Sequence, residues 1–179
     1  MLTTLEKWSD RIIDWLGYLC AIMMILTMLN VFYDAIMRYF FRTGSIAMQE
    51  MEWHLFSMLF LFGIAYALRT DGHVRVDLIY DRLSPKTKAV INIAGTVLFL
   101  LPLAYLIIQG SLPFVMEAYN TGEISGDPGG LTHRWLIKAT IPLAFVFLII
   151  SAVGFIIRNL HVYRGTESLS SHSAKDDLL

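Results

Sequence analysis

Acidic, polar and aromatic side chains are concentrated in residues 48–56, MQEMEWHLF, just before a long apolar run. Glu50 and Glu52 could relay a proton, bind a metal, begin a helix or form a docking surface. Carboxylates at a helix N-terminus are stabilised by its unpaired amides, by about 0.3–1 kcal/mol each at exposed positions. Arg38 and Arg42 precede them across a short loop and are natural counter-ions. We therefore expect the two glutamates to begin a helix and to pair with Arg38 or Arg42.

A second polar stripe occupies the end of the preceding apolar run. Thr27, Asn30, Asp34 and Arg38 are spaced three, four and four residues apart, which places them on one helix face. Asp34 also stands in the favourable i,i+4 order with Arg38. An ion relay is one interpretation. We favour a packing ion pair near the outer boundary, because a coupling site is expected at mid-span and no acid lies there.

Two histidines offer a cofactor alternative. His54 and His133 both fall at outer ends of apolar runs, so facing imidazoles could hold a haem, as in four-helix membrane anchors. A second histidine pair is missing, however, and His133 adjoins Arg134 where a loop meets a helix. The sequence contains no glycine-rich phosphate loop, nucleophile elbow or paired-cysteine motif, so no enzymatic chemistry is expected.

The composition indicates which elements position these residues. Hydrophobic residues make up 56% of the 179 residues and charged residues 16%, against about 25% in a soluble domain. A net charge of −1 argues against a nucleic-acid partner. The single cysteine, Cys20, excludes a disulfide framework. Four apolar runs are each close to the about 20 residues that cross a bilayer as a helix: 15–33, 53–68, 89–108 and 139–157.

The sequence therefore predicts an all-α integral membrane protein with four transmembrane helices at about 15–38, 50–69, 86–109 and 133–158. Basic residues gather before the first span, between spans two and three, and after span four, so both termini are predicted to be cytoplasmic. Residues 1–14 form a predicted amphipathic segment that lies along the membrane before turning in. A second short interfacial helix is expected in the loop after span two, and residues 161–179 form a polar tail. The tryptophans at predicted membrane boundaries are expected interfacial anchors: Trp8, Trp15, Trp53 and Trp135.

Three stretches carry a family resemblance across residues 15–160: MQEMEW, ALRTDGHVRVDLIYDRLSP and GGLTHRWLIKATIPL. The most specific is the cytoplasmic loop motif that contains His73, Arg75, Asp77 and Pro85. In this order and spacing the chain resembles the small membrane subunit (DctQ-like) of tripartite ATP-independent periplasmic (TRAP) transporters. Many relatives have Trp-Ser-Glu-Glu before span two, where this chain has Met48-Gln49-Glu50-Met51 followed by Glu52.

The resemblance implies a division of labour within a bacterial inner-membrane complex. A large membrane subunit (DctM-like) binds substrate and sodium and moves its transport domain. A periplasmic substrate-binding protein (DctP-like) captures the substrate, often an organic acid. The small subunit holds the large subunit's stationary scaffold in the lipid bilayer, needs no cofactor of its own, and contributes part of the periplasmic docking surface. Its acidic outer loop could meet the binding protein or simply be solvated; the acids are Glu117, Glu123 and Asp127.

Two other functional classes remain open from the residues themselves. One is a four-helix haem- or quinone-binding membrane anchor. The other is a small proton-coupled exporter, which would need a carboxylate deep in its first span. Asp34 is too close to the end of that span for this role, and polar helix ends suit a subunit that packs against a larger partner.

Overall fold

The protein is built from four long helical spans. The computed structural model describes residues 2–70, 72 and 83–165, and within these it contains helices but no strands. All four spans are long and apolar enough to cross a membrane, which confirms the predicted all-α membrane fold. The loop motif residues His73, Arg75 and Asp77 lie outside the described residues. The elements are α1 (Leu2–Phe40), α2 (Ile46–Arg69), α3 (Pro85–Gly95), a π-helical segment (Thr96–Leu100), α4 (Leu101–Asn120) and α5 (Trp135–Arg164).

Helix α1 is longer than a membrane span. Its 39 residues extend about 58 Å at 1.5 Å per residue, almost twice the about 30 Å hydrocarbon core. The expected turn after residue 14 is not found, because the amphipathic segment continues into the span without a break. Its outward face carries Trp8 and Trp15, while Glu6, Ser9 and Ile13 are buried against the other helices. This buried face of α1 has polar partners on the other helices, which hold residues 2–14 in line with the rest of α1.

Helix α5 lies at the centre of the bundle. It packs against each of the other described helices. Half of its most apolar 18-residue window is buried, compared with at most 22% in the other three spans. Small side chains such as Ala144, Ser151 and Ala152 line its buried positions and let neighbouring backbones approach closely. The bundle is therefore organised around α5.

Two apolar clusters hold the spans together. The first joins α1, α2 and α5, and its buried members are Ile13, Leu16, Cys20, Phe62, Ala65 and Ala144. The second joins α2, α4 and α5 through Leu68, Ala104, Leu148, Ala152 and Phe155. The ring of Phe147 on α5 meets Phe62 on α2 edge to face, with centroids 5.9 Å apart. Both clusters include α2 and α5, so this helix pair connects α1 to the third span.

The third span begins close to its predicted start and contains a π-helical segment. Ser84 caps α3 by accepting a hydrogen bond from the backbone N–H of Thr87 at 3.2 Å, and Pro85 occupies the first turn. Just before Pro102 the helix widens into the π-helical segment, in which the N–H of Leu101 bonds back five residues to Thr96. Proline has no N–H to donate to the turn below it, and π-bulges are one way of accommodating such a break.

The loop between α4 and α5 turns at residues 127–130. The N–H of Gly130 donates to the carbonyl of Asp127 at 3.0 Å, and Gly129 has a φ of 85°. Pro128 followed by a glycine with positive φ is the pattern of a type II turn. This turn brings the loop back towards the start of α2, where the glutamates of the MQEMEW stretch are found.

Candidate functional site: two ionic clusters between the helices

The first cluster lies where α1 begins and where α2 and α5 end. We call it the Arg69 cluster: Glu6, Asp10, Asp14, Arg69, Arg158 and His161. Its three acids are spaced four residues apart, so α1 presents them on one face, towards the ends of the two partner helices. Lysines or arginines in the last turn of a helix also suit its macrodipole. The cluster therefore combines two favourable features: three acids on one face of α1 and an arginine in the last turn of α2.

Arg69 is the hub of this cluster. Its two Nη atoms each contact one carboxylate oxygen of Asp14 at 2.8 Å. Its Nε lies 3.6 Å from Oδ1 of Asp10. The same Asp10 oxygen accepts a hydrogen bond from Nη1 of Arg158 at 2.7 Å. Two-pronged contacts between arginine and carboxylate fix orientation as well as distance. The relative positions of α1, α2 and α5 are thus set by one shared network.

The network also satisfies a helix terminus. Nη2 of Arg158 donates to the backbone carbonyl of Arg69 at 3.2 Å, at the end of α2, where carbonyls lack partners within the helix. Further along α5, Nε2 of His161 lies 3.8 Å from the carboxylate of Glu6. Arg158 is only 12% exposed at its side chain, so this pairing is shielded from water. Shielded charges of this kind need their partners.

The contacts within the Arg69 cluster were not predicted from the sequence. Arg69 and Arg158 are among the basic residues that predict the orientation of the spans, but the sequence predicts no partners for them. The i, i+4, i+8 spacing of the three acids on α1 was the available signal. Its partners could not be identified, because they depend on which helices neighbour α1.

The second cluster lies at the opposite ends of the helices and is centred on Glu50. We call it the Glu50 cluster: Glu50, Glu123, Ser125, Arg134 and Lys138. The Glu50 carboxylate accepts a hydrogen bond from the backbone N–H of Leu131 at 2.6 Å and another from the hydroxyl of Ser125. A Cβ on Gly130 would come within 2.8 Å of that carboxylate, so glycine permits the close approach.

These contacts correct the expected role of Glu50. Helix α2 begins at Ile46, so Glu50 lies in its second turn and not among the free amides of the first. Its partners come from the α4–α5 loop, whereas Arg38 and Arg42 were expected. Arg42 is exposed and has a φ of 53° in the turn after α1. Glu52 is half-buried in the second turn of α2.

Glu123 closes the same loop onto α5. Its carboxylate pairs with Nζ of Lys138 and lies 3.8 Å from Nε of Arg134. The Lys138 ammonium also stands 3.8 Å from the ring centroid of Phe114 on α4, a cation–π contact. Of the three acids expected to face a binding protein, Glu123 is therefore engaged within the chain, while Glu117 and Asp127 are exposed.

The stripe at the end of α1 forms two separate contacts. Arg38 and Asp34 make the expected i,i+4 ion pair, with the Asp34 side chain only 6% exposed. Nδ2 of Asn30 donates to the carbonyl of Met48 on α2 at 2.9 Å. The stripe therefore tethers α1 to the start of α2, at the same end of the bundle as the Glu50 cluster.

The four tryptophans differ in their surroundings. Trp8, Trp15 and Trp53 are exposed, and their role as interfacial anchors stays a prediction. Trp135 opens α5 and meets the ring of Tyr119 edge to face, with centroids 5.4 Å apart. Its position therefore depends on packing against α4 as well as on the boundary.

The two histidines of the haem alternative stand in unlike settings. His133 is exposed, has a φ of 60°, and its Nδ1 is 2.8 Å from the hydroxyl of Thr132. His54 lies within α2, one turn after Glu50. Across the described part of the chain, no group of three histidine, cysteine, aspartate or glutamate side chains is arranged to hold a metal ion.

Comparisons with known proteins agree with the membrane architecture. The chain is 32% identical over 161 residues to a candidate TRAP transporter small permease protein of Haemophilus influenzae, an alignment that covers 88% of this chain and 98% of that protein. A second such protein of the same organism is 25% identical over 116 residues, covering 65% of this chain and 68% of the relative. The C4-dicarboxylate TRAP transporter small permease protein DctQ of Pseudomonas aeruginosa is 30% identical over 122 residues, covering 63% of this chain and 56% of that protein.

A family model for the DctQ component of tripartite ATP-independent periplasmic transporters matches residues 27–162. That range contains α2, the third span and nearly all of α5, together with the Glu50 cluster and part of the Arg69 cluster. The chain therefore belongs to the DctQ family, the small membrane component of TRAP transporters.

Proposed function

We propose that this chain is the stationary scaffold subunit of a sodium-coupled TRAP importer for an organic acid. It works with a large membrane subunit, which binds substrate and sodium, and with a periplasmic substrate-binding protein. The complex resides in the bacterial inner membrane, with both termini of this chain in the cytoplasm. DctQ-family proteins are transporter components and not enzymes, so the proposal concerns transport.

The observation that supports the scaffold role most strongly is that charged side chains form ion pairs between different helices. In the Arg69 cluster, Asp10 contacts bases from two other helices, and in the Glu50 cluster, Glu123 contacts the start of α5. A transport site must release its ion or solute in each cycle, whereas charges neutralised by neighbouring helices stabilise one fixed arrangement. The two clusters occupy opposite ends of the bundle and resist relative motion of the spans.

The exposed apolar surface of α1 is consistent with packing against a partner subunit within the membrane. Six of its large exposed side chains recur with alternating spacings of three and four residues and form one stripe along the helix. The stripe consists of Trp15, Tyr18, Ile22, Ile25, Leu29 and Phe32. An unbroken ridge of this kind can pack along a helix of a larger subunit.

The outer loop supports contact with a soluble partner. Because Glu123 is engaged with Lys138, the charges that remain for docking are those of Glu117 and Asp127, both exposed. Exposed acids steer association with a basic surface, and salt weakens that attraction. We therefore assign docking to these two residues and give Glu123 a role in shaping the loop.

The substrate class rests on the relatives. The Pseudomonas aeruginosa relative carries a C4-dicarboxylate name. This supports an organic acid as the cargo of the present complex, and the family supports sodium as the coupling ion held by the large subunit.

Reconstitution tests the proposal. Vesicles would contain the complete complex, the large subunit alone, or this chain alone, each with the binding protein loaded with a C4-dicarboxylate and an inward sodium gradient. We expect uptake only with the complete complex. Solute accumulation with this chain alone, or equal uptake without it, would contradict the scaffold role.

A further inference from the structure

An apolar groove lies between the third span and the end of α5. Its cavity has a volume of about 380 Å³. The residues that line it come from α3, the π-helical segment and α5: Val90, Ile93, Ala94, Val97, Leu98, Leu160 and Tyr163. None of these residues belongs to the two ionic clusters, so the groove is a separate feature of the fold.

The groove is open on its outer side. Leu98 is 65% exposed and Tyr163 49%, so the groove walls face out of the bundle instead of closing over it. Ala94 has the smallest side chain of the residues that line the groove, so a larger side chain at this position would take up space in it. The π-helical segment, which contributes Val97, is wider than an α-helix and shifts the wall beside this space.

Basic side chains flank one end of the groove. Lys86 precedes Val90 by four residues and therefore lies on the same face of α3, about 6 Å towards the helix start. Arg164 follows Leu160 by four residues on α5 and adjoins Tyr163. Both side chains are exposed. Because α3 begins where α5 ends, the two cations are at the same end of the bundle, near the Arg69 cluster.

The walls of the groove are apolar and uneven, because small side chains such as Ala94 stand beside larger ones such as Leu98 and Tyr163. A flexible hydrocarbon chain has no backbone polar groups to satisfy and can follow a narrow, irregular wall.

We propose that this groove binds one acyl chain of an anionic phospholipid, whose phosphate lies between Lys86 and Arg164. The apolar wall accepts the chain, and the two cations neutralise the headgroup at the membrane surface, where basic residues favour anionic lipids. A zwitterionic lipid offers the same chain but no net charge to the cations. The site is a property of this chain and does not rest on the proposed transport function.

Lipid retention by the purified complex provides the main test. The complex in detergent would be incubated with phosphatidylglycerol or with phosphatidylcholine of the same chain length, and bound lipid counted by native mass spectrometry. We expect the wild type to retain phosphatidylglycerol preferentially. The double variant Lys86→Gln with Arg164→Gln should lose affinity by about tenfold or more, since each cation contributes about 1 kcal/mol near a charged surface. The matched control Arg42→Gln removes an exposed cation at the opposite end of the bundle and should change nothing.

A groove-filling variant separates this site from general surface attraction. Ala94→Leu should reduce retention of both lipids, and unchanged retention in a stably folded Ala94→Leu complex would overturn the proposal. If lipid retention fell in the Lys86→Gln, Arg164→Gln variant but not in Ala94→Leu, the lipid would be held only by charge at the protein surface, and the proposal would also be overturned.

A labelling experiment does not depend on the folding of any variant. Phosphatidylglycerol with a photoreactive group in its acyl chain should label peptides that contain Val97, Leu98 or Leu160 in the wild-type complex. Adducts elsewhere would refute the site. Labelling of these peptides in the isolated chain but not in the complex would show that the large subunit covers the groove, and would also refute it.

Discussion

Asp10 on α1 and Arg158 on α5 are 148 positions apart in the sequence, yet their side chains meet at 2.7 Å. The same carboxylate oxygen lies 3.6 Å from Nε of Arg69 on α2. A single side chain on the first turns of α1 is therefore the point at which three helices are joined. Disrupting it should loosen the bundle without touching the apolar core.

Replacing Asp10 with asparagine should destabilise the purified protein. The change keeps the size of the side chain but removes the charge that holds Arg158 and Arg69, both largely shielded from water. Hydrogen bonds to charged groups contribute about 1.5–3 kcal/mol each, so the free energy of unfolding in detergent should fall by about that amount. Asp127→Asn makes the same chemical change at an exposed turn and should shift the unfolding midpoint very little. Equal midpoints for the two variants would show that the Asp10 contacts add nothing to stability.

Removing the Glu50 carboxylate should release the loop between α4 and α5. Glu50→Ala deletes the acceptor for the N–H of Leu131 and for the hydroxyl of Ser125. Hydrogen exchange at the Leu131 amide should then accelerate by about 10- to 100-fold, the equivalent of about 1.5–3 kcal/mol. Glu50→Gln retains one acceptor oxygen and should fall between the two.

The control for this experiment is Glu117→Gln, a change at an exposed carboxylate on the same side of the bundle. It should leave exchange at Leu131 unchanged. If Glu50→Ala left the exchange rate at Leu131 as slow as in the wild type, the loop would be held by Glu123 and Lys138 instead.

The sequence predicted the features of the fold that depend on local patterns. Apolar length alone was enough to identify four spans, because few other segments need about 20 apolar residues. The Ser84–Pro85 helix start and the turn around Gly129 also follow from residue types with strong conformational preferences. Such features do not require knowledge of which helices are neighbours.

The partners of charged residues could not be predicted in the same way. Glu50 was assigned to the nearest bases in the sequence, Arg38 and Arg42, but its partners are 75 and 81 residues away. Likewise, Asp10 belongs to the segment 1–14 that was predicted to lie along the membrane surface, and no partner was predicted for it. In both cases the outcome is decided by the arrangement of the spans around α5, which no single stretch of sequence encodes.

Two glycines in the spans provide a matched pair for testing packing. A Cβ on Gly17 would lie 2.5 Å and 2.6 Å from ring atoms of Tyr66, whereas a Cβ on Gly63 would meet nothing within 4 Å. Gly17→Ala must displace the ring and should cost about 1–3 kcal/mol. Gly63→Ala should be neutral or stabilise the helix by up to about 1 kcal/mol, because alanine is the better helix former. Thermal unfolding of the two variants measures the difference, and a Gly17→Ala protein as stable as Gly63→Ala would show that the Tyr66 ring moves aside without cost.

Asn92 and Asn159 should be energetically coupled across the helix interface. Nδ2 of Asn92 donates to Oδ1 of Asn159 at 2.8 Å, and Asn159 in turn donates to the carbonyl of Phe155 within α5. Hydrogen bonds between membrane helices contribute about 0.6 kcal/mol on average and up to about 1.7 kcal/mol, less than full burial would suggest, because the unfolded helices also find partners in the bilayer. A double-mutant cycle with Asn92→Ala and Asn159→Ala, measured by equilibrium unfolding in mixed micelles, should therefore give a coupling of about 0.6–1.7 kcal/mol. The matched cycle of Asn92→Ala with Ser151→Ala, whose hydroxyl bonds to Ala65 of α2 instead, should give additive effects. A coupling near zero for the asparagine pair would mean that the third span is held to α5 by apolar contacts such as those of Ala104 and Ala152 alone.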